Sequence, residues 1–550
     1  MTSKLKMHSP DLTEDNIAKI AALFPNCISE SRDEQGRLKQ VVDFDLLRQE
    51  LSGVIVEGEQ ERYRLDWVGK KEAILAANAP IAKTLRPSRE ESVNFDTTEN
   101  LFIEGDNLDA LKLLQENYLG KVKMIYIDPP YNTGKDFIYN DDFAESSDEF
   151  FARSQQFDEE GNHLIANTES NGRFHSDWLS MMYSRLKLAR NLLMDDGVIF
   201  ISCDDNEQAN LKRLCDEVYG KSNFLGTIIW KKKTNGNNMG YIPPVHDYIL
   251  CFSKLASEKS LLGFKLSEEY IKKNYSNPDN DPRGDWTTSD LSANHVGPYF
   301  EITNPVTGET FLPPNGRYWV FNEEEVIRRI ADGTIIFGKL GNSRPVQKKF
   351  LKDRPNLRQK ADSLWDKHGM NEDGGLELNN LIGTKIFSHP KPTLTIKKLC
   401  EISTKDNDLI LDFFAGSSTT ADAVMQLNAE DGGNRRFIMV QLPEATDEKS
   451  EAFKSGYPTI AEISKERIRR AAAKIHADFA DKLPEDWDGG FRVLKVDSTN
   501  MKEVYYRPDE VSQSDLLDMV SHIKEDRSGE DLLDLLRKYS SHRINQSCNQ

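Results

Sequence analysis

At 550 residues the chain is too long for one hydrophobic core, so roughly two to four domains, or one domain with large insertions, are expected. Its 38% hydrophobic and 29% charged residues describe a globular protein; no run approaches the ~18 apolar residues of a membrane span and no secretory pattern opens the sequence, so a cytoplasmic protein is expected. A net charge of −19 argues against a protein that coats nucleic acid non-specifically, because neutralising phosphates needs Lys and Arg. The charge is uneven, however. Acid concentrates in Asp141–Glu169, whereas Trp230–Lys233, Lys348–Lys360, Lys385–Lys398 and Lys465–Lys474 are basic, which leaves room for a local cationic groove. The 6 cysteines are scattered, with no Cys-x-x-Cys pair and no His at zinc spacing, and read as buried free thiols.

Residues 1–95 open with helical periodicity over Leu12–Phe24, where Asp11 and Thr13 are candidate caps. Phe44–Leu51 and Trp67–Ala77 follow, without any catalytic constellation, so a helical packing or dimerisation module is expected. Leu101–Asn107 then reads as a short buried strand ending in Gly-Asp, and Leu108, Leu111 and Leu114 mark the amphipathic helix after it. The next apolar run, Met124–Ile127, stops abruptly at Asp128-Pro129-Pro130-Tyr131. Strand, helix and strand within about thirty residues make a βαβ unit, which puts Asp106 and Asp128 on the same carboxyl edge of a parallel sheet.

The two prolines fix φ and supply no N–H, so the backbone after Asp128 is stiff and keeps a carbonyl free to accept. A stiff acceptor pair beside an aromatic ring suits an amino group on a flat base. Asp128 and the Pro129 carbonyl would take the two hydrogens of an exocyclic amine while Tyr131 stacks on the ring. A plain strand-terminating turn has the same composition.

Residues 135–172 are acidic and poorly periodic, and predict a long surface loop beside this site. Helical spacing returns over Trp178–Leu193, Asp195-Asp196-Gly197 reads as its close, and Val198–Ser202 as another buried strand. A helix over Gln208–Val218 and strands at Gly226–Trp230 and Asp247–Phe252 follow, the strands separated by turn-like Thr234–Gly240. Residues 255–385 break the rhythm with short aromatic strands, such as Tyr299–Ile302 and Arg317–Phe321, and basic turns. That composition suits the reading of a nucleic-acid groove and an ordinary β-rich insertion equally.

Asp408–Asp412 is a strand that enters a small-residue turn, Phe413–Thr420, and then a helix from Ala421 to Leu427. Such a turn lets backbone approach a ligand, and the helix N-terminus offers free N–H groups to a carboxylate like that of S-adenosyl-L-methionine. Standing alone, it is also an ordinary strand-to-helix turn.

Taken together, these segments resemble the β-group DNA amino-methyltransferases, most closely the modification (Mod) subunits of type III restriction-modification systems. The resemblance rests on Asp128–Tyr131, on Asp412, Phe414, Gly416, Ser417 and Thr419 of an Asp-Pro-Phe-x-Gly-Ser-Gly-Thr turn, and on His389-Pro390-Lys391-Pro392. Trp67–Ile74, Asp96–Asn100 and Tyr139–Phe143 extend it over residues 60–500. Phe413 stands for the Pro and Ser418 for the second Gly, and a positive φ at Ser418 would cost about 1–2 kcal/mol. The resemblance implies an α/β fold: a class I S-adenosylmethionine-dependent methyltransferase (Rossmann-like) sheet, circularly permuted, with an inserted β-rich target recognition domain and a helical N-terminal module. The implied domains are 1–95, 96–254 (catalytic half), 255–385 (target recognition), 386–500 (cofactor half) and 501–550 (a helical tail). The implied reaction is methyl transfer to adenine N6 in double-stranded DNA, with Asp128, Pro129, Pro130 and Tyr131 catalytic. Asp106, Lys391, Asp412, Phe414, Gly416 and Ser417 would hold S-adenosyl-L-methionine, with Gln441 or Glu444 on its ribose. A homodimer, a possible restriction (Res) subunit as partner, and no metal are also implied. Asp at the first position of the loop favours adenine over cytosine N4 or RNA, and a DNA-recognition subunit without catalysis is the alternative from another class.

Overall fold

The structure, a computed structural model, describes residues 12–32, 38–51, 65–134, 137–139, 164–166, 173–234, 241–338, 341–354 and 357–500, with Lys524 and Arg527. The expected helical tail and Cys548 lie outside them, as do most of the 135–172 loop and the turn beyond Thr234. Two compact units are distinguished, one of residues 1–262 and 362–550 and one of Gly263–Ala361.

The first unit is built on a ten-stranded sheet. In chain order its strands are Lys83–Val93 (β1), Leu101–Glu104 (β2), Val122–Ile127 (β3), Leu193–Cys203 (β4), Phe224–Lys231 (β5), His246–Ser253 (β6), Leu364–Trp365 (β7), Leu409–Asp412 (β8), Arg436–Gln441 (β9) and Phe491–Ser498 (β10). Across the sheet they lie in the order β7-β5-β6-β4-β3-β8-β9-β2-β10-β1. The six from β4 to β10 run parallel, while β6 and β1 are antiparallel to their inner neighbours. Every residue of β3 and β8 is buried, as strands in the middle of a parallel sheet are, and the one lysine, Lys123, donates to the Asp196 carbonyl at 2.7 Å. Ile125, Ile127, Ile201 and Leu411 join one core with the helices Asn107–Tyr118 and Phe174–Leu192. Their neighbours Met124, Tyr126 and Ile410, equally buried, point to the opposite face by the period of two. Pairing of Ile410 with Met124 and of Leu411 with Ile125 brings two distant stretches of chain side by side, so Asp128 and Asp412 leave the sheet at adjacent carboxyl ends.

Several expectations need correction. The N-terminal 95 residues are not only helical: Ile28–Arg32 pairs with Leu38–Val42, and β1 extends the large sheet. β1 is polar and contains Pro87, tolerated only because it is an edge strand, so no apolar alternation marked it. Asp195-Asp196-Gly197 belongs to β4, where the register with β3 shifts between Leu193 and Val198 and the extra residues bulge out. Lys465 and Arg467 contribute to no cationic surface. Both are buried, Lys465 bonding Glu91, Glu104 (2.9 Å) and Glu462 (2.6 Å) and Arg467 bonding Asp422 (3.0 Å), because buried charges demand partners.

Residues 255–262 and 362–385 fall in the first unit, so the separable insertion is narrower than the composition suggested. β7 adds a parallel edge to β5, with Trp365 fully buried, and Gly374 of the helix Asn371–Ile382 lies so close to Pro390 that a Cβ there would sit 2.2 Å from the Pro390 carbonyl oxygen. The second unit has its own core of Leu291, Ile302, Trp319, Val326, Ile335 and Phe337 under short antiparallel ladders and the helix Glu323–Ala331. Many of its bases are paired: Lys348 with Asp279 and Asp281, Arg283 with Asp281, Arg317 with Asp290. Cys27, Cys203, Cys215, Cys251 and Cys400 are buried free thiols, and burial pushes Cys27 and Cys400 up to about 12. No helix among the described residues is long and apolar enough to cross a membrane.

Candidate active site

Asp128 emerges from the end of β3 and meets two groups. Lys391 Nζ lies 2.8 Å from its Oδ1 and 2.7 Å from its Oδ2, and the Tyr131 hydroxyl donates to Oδ1 at 2.9 Å. The same ammonium donates to the Tyr131 oxygen at 3.0 Å and sits 5.0 Å from the centre of its ring. Burial first, and then the charge of Asp128, raise the Tyr131 hydroxyl pKa well above its ordinary value, so it stays protonated as a donor. Trp178 Nε1 donates to the Pro130 carbonyl at 2.8 Å and fixes the loop from behind. The Pro129 carbonyl receives no donor from the described residues. Asn132 adopts the left-handed region at φ 58°, with its amide bonded to buried Glu207 at 2.6 Å.

The turn after β8 is braced internally. Asp412 accepts from Phe414 N at 3.1 Å and from Thr420 Oγ1 at 2.5 Å, and burial pushes its carboxyl up to about 7. Gly416 and Ser418 both take positive φ, 53° and 60°, so the expected strain at Ser418 is present. Ser417 is held by Arg467 at 3.1 Å, and Phe414 stacks at a tilt on Phe413. Gln441 ties the strand ends together: its side-chain oxygen accepts from Gly416 N at 2.7 Å and its carbonyl from Gly105 N at 3.0 Å. Asp106, next to that glycine, caps the helix Asn107–Tyr118 through Leu108 N at 2.8 Å and faces Arg185 at 3.4 Å.

Lys391, expected to hold the cofactor, turns its charge to the β3 loop. Its ammonium is on Asp128, while its carbonyl accepts from Thr419 Oγ1 at 3.3 Å, so one residue links the β3 loop to the β8 turn.

Residues 122–471 match the profile of the DNA methylase family. The chain is 39% identical over 462 residues to the type III restriction-modification enzyme StyLTI Mod subunit of Salmonella typhimurium, covering 81% of this chain and 69% of that one. It is 34% identical over 520 residues to the EcoPI Mod subunit of Escherichia phage P1, covering 87% and 77%. The chain belongs to the DNA methylase family.

For a methylase that draws on S-adenosyl-L-methionine, the β8 turn fits the methionine end. The Thr419–Asp431 helix begins there, and the buried Ser418 Oγ points to no partner among the described residues. The Glu444 side chain bonds none of the described residues and burial raises its pKa, whereas the Gln441 oxygen is spent on Gly416. Several supports of the methylase site escaped the sequence. Trp178 carried only a helical signal. Arg185 bonds Asn107, whose side chain donates to the Phe413 carbonyl at 2.8 Å, and Glu207 joins Asn132 to His175. Buried polar residues on helices give no local pattern that distinguishes them from surface ones.

Proposed function

We propose that the chain is a site-specific methyltransferase that moves a methyl group from S-adenosyl-L-methionine to N6 of adenine in double-stranded DNA. The observation that carries this reading is the acceptor pair at the end of β3. Among the described residues, Asp128 Oδ2 meets only Lys391 and keeps a lone pair, and the Pro129 carbonyl has no donor. An aromatic amine is a poor nucleophile because its lone pair is delocalised into the ring. Two acceptors that take both amine hydrogens draw the nitrogen toward tetrahedral geometry and localise that lone pair as the methyl arrives.

Lys391 aims the Asp128 carboxylate, and Tyr131, anchored to the same carboxylate, presents its ring for stacking. When bound, the cofactor supplies an electrophilic methyl on a cationic sulfur. Gly416, Ser417, Ser418 and the following helix N-terminus hold its carboxylate, Glu444 its ribose, and Asp106 and Phe414 line the adenosine side. Because N6 is closed to in-line attack within a stacked duplex, the base leaves the helix to reach Asp128.

The connectivity supports a circularly permuted methyltransferase sheet, since β8 is central yet follows the Asp128 loop in the chain. Residues 263–361 form the target recognition domain in this reading, a homodimer is the working form, and a restriction (Res) subunit is the partner; that both relatives are named as Mod subunits of type III restriction-modification enzymes supports a second subunit. Nucleoside analysis of duplex DNA incubated with the purified chain and labelled cofactor tests the reading. Label in N6-methyladenine supports it; label in N4-methylcytosine, or cofactor binding with no transfer, refutes it.

A further inference from the structure

The hairpin between β5 and β6 turns at the same sheet edge from which Asp128 projects, because β6 runs antiparallel to β4 and β4 parallel to β3. Ile127 pairs with Ile201, Ile201 with Leu250, and Leu250 with Thr227. From that level β5 continues through Lys231, which pairs with His246, so at about 3.3 Å per residue this pair lies roughly 13 Å beyond the end of β3 along the strands. Its stem flanks the reacting groups: buried Trp230 lies with its ring centre 5.9 Å from Lys391 Nζ. Beyond the stem, Tyr241 and Ile242 are 107% and 90% exposed, the two most exposed large hydrophobic side chains among the described residues. Lys231, Lys232 and Lys233 end the rising arm of the stem, with Lys232 engaged by Asp247 at 2.6 Å.

A large apolar pair kept in water on a hairpin that rises from the Asp128 edge of the sheet calls for an apolar surface that is present only with the substrate. Extruding a base creates one, because it leaves the faces of two neighbouring base pairs uncovered, and apolar side chains are able to occupy such a step. We propose that Tyr241 and Ile242 enter the DNA stack where the target adenine has left it and so hold the extruded state, with the basic stem against the flanking phosphates. This inference rests on the adenine-N6 reading.

The test uses a duplex carrying the chain's own site, found by modification-dependent sequencing, in two forms: intact, and with an abasic residue opposite the target adenine. In the second form extrusion no longer breaks a base pair. The double variant Tyr241→Ser with Ile242→Ser is expected to lose roughly ten-fold in single-turnover transfer on the intact duplex, within the range for losing one stacked ring. On the abasic duplex it is expected to return to within about two-fold of the unaltered chain, while Tyr241→Phe keeps the full rate on both. Both side chains are exposed, so the fold is not at stake. Equal losses on the two duplexes, or no loss on the intact one, overturn the inference alone. An unaltered chain that transfers no methyl to adenine in either duplex overturns the proposed function and this inference with it.

Discussion

Replacing Lys391 with Met removes an ammonium from the centre of the site while keeping most of its apolar stem. The lost contacts are 2.7 and 2.8 Å to the Asp128 oxygens and 3.0 Å to the Tyr131 hydroxyl, with side-chain exposures of 11% for Lys391 and 26% for Asp128. Charge-assisted hydrogen bonds contribute about 1.5–3 kcal/mol each, and removing one partner of a fully buried pair costs about 3–5 kcal/mol. Asp128 is a quarter exposed, so water recovers part of this and about 2 kcal/mol is the expected loss of Asp128 positioning. That is roughly a thirty-fold fall in single-turnover methyl transfer. Cofactor affinity by calorimetry should change by less than about two-fold, because the ammonium faces Asp128 and not the β8 turn. Lys391→Arg should recover part of the rate. A variant that transfers normally but binds the cofactor poorly would refute this reasoning and return Lys391 to the cofactor.

Asp128→Ala should abolish transfer while leaving cofactor binding nearly intact; undiminished turnover would remove Asp128 from the chemistry. Gly416→Val places a β-branched side chain at φ 53°, where the protein itself leaves room, with the Phe387 ring 3.5 Å from the added Cβ. Backbone strain and the blocked approach to the ligand should weaken cofactor binding at least about ten-fold in a folded protein, and calorimetry with a melting curve distinguishes this from unfolding. Asp412, raised from 3.8 to about 7, binds its proton more tightly folded than unfolded, so its contribution to stability is full below about pH 4 and declines as pH rises to about 7. The melting-point advantage of the native chain over Asp412→Asn should therefore shrink across that window, by the equivalent of at most about 4 kcal/mol; a constant difference would contradict the shifted carboxyl. Exchanging residues 263–361 with those of a relative should move methylation to the relative's sequence at comparable rate, as sequencing of modified DNA would reveal.

Local pattern and tertiary arrangement were unequally legible. The apolar run before Asp128 and the strand ending at Asp412 announced themselves because each is a hydrophobic segment bounded by residues that stop strands. β1 did not, since a polar edge strand needs no apolar face. The two halves of the site could be assigned to one sheet edge from strand–loop order. The pairing of Lys391 with Asp128 could not, because it joins residues 263 positions apart and depends on which strands are neighbours. The bond between the Gln441 side chain and the Gly416 amide was likewise invisible, because no spacing encodes it. The basic run around Lys465 misled for a related reason: composition reports charge, and only packing reports that three carboxylates already surround it.

Modification-dependent sequencing of DNA from cells expressing either the native chain or Asp128→Ala tests the central claim most directly. The account predicts N6-methyladenine at one recurrent sequence with the native chain and none with the variant. Methylation that persists in the variant, or that falls on cytosine, would contradict it.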